Sequence, residues 1–531
     1  MDTRNQPAKQ TGNDRAAERL TTRASDGDGR RPTSVLLPAL VVVFVAALDL
    51  TVIAPLLPRM LLDLSVNTIE ADRYVWVVTG YLIAYTLTIP LFGRISDLIG
   101  RRNTFLIALL IFTIGSIVCA EAHSLTLLIV ARVLQGLGGG AMLPVSMALV
   151  GDILPARRRA GALGIVAAVD TLGWVLGPVW GAGVSQIFGT WRAVFWLNLP
   201  IGLVAALALL RTWRGPLALP GKRRPLDLPG AALLTLGLLC VCLGVSTGAD
   251  TTGPSGQRAL GGSTNPLSDY RFPLLAIGIV AMVALVLVER RSKHPLIPLE
   301  LFNNRVFSAA NLSNFLIGGA LMVAMVNVPL QVALMATPDR TEVVSAELLG
   351  AFCLAMAFGG VVGGWLSNRF GYRAVVLTGL VPAIIGFLLM SQWPDHLALA
   401  RMSAELAIGG LGFGLVIAPI VAAALDAARE RDLGIASGLV IATRLLGMTI
   451  GISAMTGWAV SRLNRQLIAL PPLKQLPSET LAAYLIRQEQ YVQNLALPLT
   501  LSIIRDTFAV AAIICLLAIV PALLLKPGKT D

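Results

Sequence analysis

The stretch Gly93-Arg94-Ile95-Ser96-Asp97-Leu98-Ile99-Gly100-Arg101-Arg102 holds two glycines, one acid and three arginines, and an apolar segment of membrane-crossing length flanks it on each side. A degenerate copy stands at Gly364-Trp365-Leu366-Ser367-Asn368-Arg369-Phe370-Gly371-Tyr372-Arg373, between two more apolar segments. Glycine, serine, glycine and the final arginine recur in register. A charged turn that repeats between apolar spans constrains the fold to two related halves, each threaded back and forth through a bilayer.

Composition agrees. The 531 residues are 55% apolar and 14% charged, with a mean hydropathy of +0.75. A soluble chain carries about a quarter charged residues. Lipid is therefore the solvent for most of this surface. The apolar runs are continuous rather than alternating, which excludes a barrel and predicts an all-α polytopic membrane protein. A span needs about 20 apolar residues. That ruler places helices near 34–57, 74–92, 103–121, 125–150, 161–185 and 193–211, then 228–247 and 273–289, then 306–336, 345–366, 374–392, 402–425, 434–460 and 507–525. The total is about 14, grouped six, two and six.

The domain reading follows. Residues 1–32 mix arginines with acids, lack apolar content and read as a disordered cytoplasmic tail. Residues 33–212 form one six-helix half, 213–305 a linker with two extra spans, and 306–526 the second half, followed by a short tail, 527–531. Within the second half, 461–506 is a long outside segment. Leu463, Gln466, Leu467 and Leu470 stand at helical spacing there, so the thirteenth helix is expected to run on beyond the membrane, with 484–497 beginning an extended fourteenth. The net charge of +12 does not point to nucleic acid, because the basic residues cluster in the connections. Their bias places both termini in the cytoplasm of a multi-pass plasma-membrane protein.

Four charges fall inside apolar spans: Asp49, Arg132, Asp170 and Arg444. Each costs about 2.5–3.5 kcal/mol at membrane depth. Such residues face a bundle interior or a wet cavity; they either fix helix register as static ion pairs or carry function. Burial disfavours a charged carboxylate and a nearby arginine favours it, so an acid that alternates between such surroundings loads and releases a proton. No enzyme site competes. The five cysteines lie inside apolar runs without metal-ligand spacing, no nucleophile–base pair is visible, and Gly138-Gly139-Gly140 follows no strand and has no Walker lysine. No cofactor or metal is expected. The energy source is an ion gradient, with protons favoured by the titratable acids.

The opening stretch resembles the signature loop between helices two and three of the major facilitator superfamily. Leu48-Asp49-Leu50-Thr51-Val52-Ile53-Ala54-Pro55 resembles the first-helix motif of its fourteen-helix drug:proton antiporters, with Ala54 where an asparagine is common. Arg132-Val133-Leu134-Gln135-Gly136, with the glycines that follow, is similar to the fourth-helix motif. Gly173-Trp174-Val175-Leu176-Gly177-Pro178-Val179-Trp180-Gly181 resembles the antiporter motif of helix five. The stretch from Gly434 to Gly451 resembles helix thirteen.

The resemblance implies roles. Asp49 is the proton carrier and Arg132 sits beside it. Asp170, outside the common motif, is a second proton site, a cation-binding group or a satisfied structural acid. Arg444 is the counter-charge from the second half for Asp49 or Asp170, and breaking that pair gates the cycle. Asp97 and Arg101 form a latch near the start of the helix at Gly434, weakened in the second copy by Asn368. Gly93 and Gly100 permit the tight turn, and Gly136 lets helices one and four approach. Gly173, Gly177, Pro178 and Gly181 make helix five pliable and go with export.

The extra helix pair, the long outside segment, Gly371-Tyr372-Arg373-Ala374-Val375 and Gly412-Phe413-Gly414-Leu415-Val416-Ile417 are similar to the mycobacterial exporters of lipids and lipophilic drugs. That branch implies a monomer exporting hydrophobic or amphipathic drugs or lipids against protons, with a periplasmic lipid-carrying lipoprotein as partner. A nutrient importer and a non-transporting membrane sensor are the alternatives.

Overall fold

Within a bilayer every backbone N–H and C=O needs a partner inside its own segment, so long apolar runs become helices. The computed structural model describes residues 33–64, 75–153, 156–212, 227–246, 270–292, 299–428, 433–469 and 497–525, with isolated residues between 293 and 298 and between 487 and 495. The helices are α1 (Thr33–Thr51), α2 (Ile53–Asp63), α3 (Val75–Ile99), α4 (Arg101–Ala120), α5 (Leu125–Ile153), α6 (Ala156–Phe188), α7 (Arg192–Thr212), α8 (Leu228–Ser246) and α9 (Arg271–Arg291). After a 3-10 turn at Leu299–Asn303 come α10 (Arg305–Met335), α11 (Pro338–Phe370), α12 (Tyr372–Met390), α13 (Leu399–Ala427), α14 (Leu433–Ala469), α15 (Leu497–Leu517) and α16 (Ile519–Ala522). Among the described residues, 10 helices are long and apolar enough to cross a membrane, or 11 when α1 and α2 count as one bent span.

That bend corrects the single first helix expected over 34–57. The chain breaks by 55° between Thr51 and Ile53. Pro55 has no N–H to give the Thr51 carbonyl, and its ring crowds that carbonyl. The Thr51 hydroxyl instead donates to the Trp174 carbonyl of α6 at 2.8 Å. The thirteenth helix runs on past the 434–460 span, in line with the helical spacing of Leu463, Gln466 and Leu467. Helix α14 continues to Ala469, nine residues further. Of the expected start of the fourteenth helix at 484–497, eight residues lie outside the described ones, and the two tails lie outside them entirely.

The repeat seen in the opening stretch extends to the packing. Gly100 (φ 90°) joins α3 to α4, and Gly371 (φ 80°) joins α11 to α12. Both hold a conformation that a side chain resists. Gly136 lies on the Tyr81 carbonyl and Gly140 on the Tyr85 carbonyl, so Gly136 seats the fourth span on the second and not, as expected, on the first; Gly410 and Gly414 lie likewise on Phe352 and Met356. Gly173 rests on the Phe44 carbonyl as Gly447 rests on that of Phe315. Arg192 donates to the Ala122 carbonyl at 3.1 Å, and Arg505 to the Trp393 carbonyl at 2.7 Å. These paired contacts superimpose α1 and α3–α7 on α10–α15, helix for helix.

The halves meet where α3 packs on α14 and α6 on α11. Helix α8 touches both α3 and α14, and α9 is joined to the bundle mainly through α8. An apolar cluster of Ala231, Leu234, Leu238 and Leu285 closes on Leu87 and Leu91 of α3 and Leu446 of α14. The extra hairpin thus covers one of the two seams between the halves.

Candidate functional site

Asp49 ends the straight part of α1, two residues before the bend, and is 1% exposed. Arg132 of α5 meets it: Nη1 donates to Oδ2 at 2.5 Å and Nη2 to the backbone carbonyl at 3.2 Å. The other carboxylate oxygen accepts from Gln135 Nε2 and from Asn198 Nδ2 of α7, both at 3.1 Å. Gln135 also accepts from Arg132 Nη1 at 2.6 Å and donates to Ser116 of α4 at 2.8 Å, a hydroxyl shared with Asn198 at 3.3 Å. The Arg132 guanidinium stands 3.9 Å from the Tyr81 ring centroid, and the Tyr81 hydroxyl donates to the Ala46 carbonyl at 3.1 Å. Five helices of one half therefore contribute to one network, in which α5 and α7 donate directly to the carboxylate of α1 and α3 and α4 hold the donors. A buried ion pair repays its desolvation only when its remaining donors and acceptors are also satisfied, and this one meets that condition.

The second pair is of another kind. Asp170 of α6 and Arg444 of α14 are both buried and lie 3.7 Å apart, with the guanidinium carbon 4.8 Å from the Trp174 ring centroid. Among the described residues Asp170 Oδ1, Arg444 Nε and Trp174 Nε1 are buried and have no hydrogen-bond partner. This contact crosses between the halves. Its two members occupy equivalent places: Asp170 stands three residues before Gly173, and Arg444 three before Gly447. The pair therefore lies on the pseudo-twofold relation that joins the halves.

Of the two partners the sequence offers for Arg444, the structure brings Asp170 to it and gives Asp49 to Arg132. Arg101 bonds back to the Ser96 hydroxyl at the end of α3. The side chains of Asp97, Asn368 and residues 431–435 lie outside the described set, so the expected latch at Gly434 does too. Gly93 is described in backbone only, within α3. Helix α6 is continuous through Gly173, Gly177, Pro178 and Gly181. Its glycines lie against α1: a Cβ on Gly177 would stand 2.0 Å from Thr51 Oγ1, and one on Gly181 2.6 Å from the Val52 carbonyl.

Ser116, Asn198, Tyr81 and Tyr85 escaped the motif reading. Asn198, in Leu197-Asn198-Leu199, carries the legible signal of a lone amide inside an apolar span. A second cross-half contact was also missed. At the end of the bundle opposite Gly100 and Gly371, Arg59 of α2 donates to Glu342 of α11 at 3.0 Å, to Ser185 of α6 at 3.1 Å and to the Gly189 carbonyl at 2.7 Å. Ser185 in turn donates to Glu342 at 3.1 Å. Arg59 and Glu342 sit at span ends, where charges are ordinary, so sequence alone does not mark them. Among the described residues no group of three or more His, Cys, Asp or Glu is placed to hold a metal.

Comparison with known proteins gives consistent results. The sequence model of the Major Facilitator Superfamily matches residues 39–318 and 307–531. A triacylglyceride transporter of Mycolicibacterium hassiacum is 36% identical over 460 residues, covering 84% of this chain and 83% of the relative. One from Mycolicibacterium smegmatis is 35% identical, covering 92% and 86%. The triacylglyceride transporter of Mycobacterium tuberculosis H37Rv is 34% identical, covering 92% and 93%. The fold is similar to the crystal structure of a bacterial homolog of the human lysosomal transporter Spinster in its inward-facing, unoccupied conformation. The TM-score is 0.60 at 14% identity, covering 94% of this chain and 97% of that one. Two matches of one family model, the first over the first half and the linker and the second over the second half, and relatives this similar over most of their length place the chain: it belongs to the major facilitator superfamily, a family of membrane transporters rather than enzymes.

Proposed function

We propose that the protein is a proton-coupled antiporter that moves hydrophobic or amphipathic molecules out of the cytoplasm or inner leaflet by alternating access. The observation that carries this reading is the Asp49–Arg132 network, a titratable acid 1% exposed at membrane depth and held by donors from α5 and α7, with Ser116 of α4 accepting behind them. A stability element of that cost needs a use. The other half gets by without it. Ala320 follows Gly319 as Asp49 follows Leu48, Leu406 stands where Arg132 does relative to the next helical glycine, and Phe387 replaces Ser116.

In this reading Asp49 takes up a proton and frees Arg132, and the Asp170–Arg444 contact opens and closes as the halves rock. With the bent first span counted once and α3, α6 and α8 added to the ten apolar spans, the helices number fourteen, in two halves of six and a linker pair. Both termini face the cytoplasm, which places the Arg59–Glu342 contact on the outer side. The chain works as a monomer, without a cofactor, on the proton gradient. The triacylglyceride transporters among its relatives favour a neutral lipid as cargo; a periplasmic lipid-carrying lipoprotein is the proposed acceptor.

The test is cargo choice in proteoliposomes with an imposed pH gradient, offering a labelled triacylglyceride or a lipophilic dye. Gradient-dependent movement of the triacylglyceride supports the lipid reading, and movement of the dye alone assigns drugs instead. If neither cargo moves, and uptake of a polar nutrient follows the gradient, the export reading is wrong.

A further inference from the structure

Between the two buried charge sites stand two tyrosines of α3, one turn apart, with ring centroids 5.7 Å from each other. Tyr81 belongs to the first site through Arg132 and Ala46. Tyr85 is 2% exposed, and its ring packs near Gly139 of α5, where a Cβ would come to 3.4 Å. The charges acting on its hydroxyl are Asp170 and Arg444. Those on Tyr81 are Asp49, Arg132 and again Asp170. Helices α4 and α8 also pack on α3, but their charged residues, Arg101, Arg102 and Asp227, stand at the helix ends near Gly100, about four turns from Tyr85.

The second half supplies an internal control. Gly410 and Gly414 pack on Phe352 and Met356 just as Gly136 and Gly140 pack on Tyr81 and Tyr85. The architecture is therefore satisfied by side chains without a hydroxyl. The hydroxyl of Tyr85 is additional to packing, and α3 carries it against α14, where Leu87 and Leu446 flank one apolar cluster two residues beyond Tyr85 and Arg444; among the described residues Asp170 Oδ1 and Arg444 Nε are buried without partners. A phenol can donate to the one or accept from the other.

When the halves part, Arg444 leaves with α14, while Asp170 and Tyr85 stay in the same half. A buried carboxylate deprived of its counter-charge must gain a donor or a proton. We propose that Tyr85 is a positioning residue of the coupling machinery, its hydroxyl taking over as hydrogen-bond donor to Asp170 when Arg444 withdraws. Separation then proceeds without forcing a proton onto Asp170, which leaves proton uptake to Asp49. This inference rests on the proton-coupled reading above.

The experiment measures gradient-driven export of a lipophilic dye in proteoliposomes as a function of pH, for wild type, Asp49→Asn, Asp170→Asn, Tyr85→Phe and the double variant Tyr85→Phe/Asp170→Asn. Each is checked for monodispersity and for dye binding. Tyr85→Phe is expected to bind dye as the wild type does, to slow transport about tenfold, the scale of one lost hydrogen bond to a charged group, and to raise the pH of half-maximal transport. In the Asp170→Asn background the same substitution is expected to change the rate less than twofold. A Tyr85→Phe profile matching wild type, or an equal loss in both backgrounds, overturns the inference, the second result assigning Tyr85 to packing. If Asp49→Asn keeps its response to the gradient, the proton-coupled reading itself has failed. Loss in Asp49→Asn beside a wild-type Tyr85→Phe profile sinks this inference alone.

Discussion

At the scale of single residues, the two halves solve one packing problem with different chemistry. Asp49, Arg132 and Gln135 in the first half are answered by Ala320, Leu406 and Gly409 in the second, at the same places relative to the packing glycines. Removing only Arg132 leaves a buried carboxylate without its counter-charge, at a cost of about 3–5 kcal/mol. Arg132→Leu should therefore lower the thermal midpoint of the purified protein by several degrees. Asp49→Ala/Arg132→Leu, which copies the second half, should recover most of that loss in the same thermal scan while remaining inactive in transport. A double variant as unstable as the single one would mean that the pair supports the fold rather than the coupling.

The acids and arginines of this site were legible as charges in apolar runs, and their motifs placed Asp49 beside Arg132. What sequence could not decide was pairing. Arg444 had two acids open to it, and only the fold, which sets equivalent positions Asp170 and Arg444 face to face, resolves the choice. The hydroxyls and amides that complete the network, Ser116, Asn198 and Tyr81, carry no charge and so leave a faint mark in an apolar span.

At the scale of helices, glycines set the distances. Association in lipid relies on close backbone contact at small residues. A Cβ on Gly447 would stand 1.9 Å from the Phe315 carbonyl, and one on Gly410 2.1 Å from that of Phe352. Backbone cannot yield as a flexible side chain does. Gly447→Ala and Gly410→Ala should each abolish recovery of folded protein from membranes. Gly183→Ala, with none of the described residues within 4 Å of the added carbon, should express at wild-type level, as seen by fluorescence-detected size exclusion. Equal expression of all three would contradict the packing described here.

Helix existence was readable from apolar length, and most boundaries fell within a few residues. The bend of the first span was not, although Pro55 lay in plain view. Many membrane helices absorb a proline without breaking. Here Thr51 donates to the Trp174 carbonyl, a long-range contact, and the direction of the chain changes at that point.

For the whole molecule, the charges that cross between the halves are what a rocking transporter must break and remake. Asp170–Arg444 lies on the pseudo-symmetry relation, and Arg59–Glu342 with Ser185 ties α2 and α6 to α11 at one end. Arg59 is 36% exposed and Glu342 7%, so the pair is partly screened and worth little on its own as a stability element. Its effect belongs to the balance of states. Arg59→Ala should increase labelling of a cysteine placed at Val179, beside Gly350 on the α6–α11 seam, by a membrane-impermeant thiol reagent added outside. Glu342→Arg combined with Arg59→Glu should return it towards wild type. Unchanged labelling in Arg59→Ala would remove this contact from the gating account. The five native cysteines are buried, which keeps the background low.

The central claim is that a proton on Asp49 drives the cycle. Its most direct measurement is cargo transport in proteoliposomes under an imposed pH gradient, wild type beside Asp49→Asn, with binding of the same cargo measured in parallel. The account predicts that the variant binds cargo, equilibrates it down its own gradient, and no longer responds to the pH difference. A variant that still concentrates cargo in response to the pH difference would contradict it.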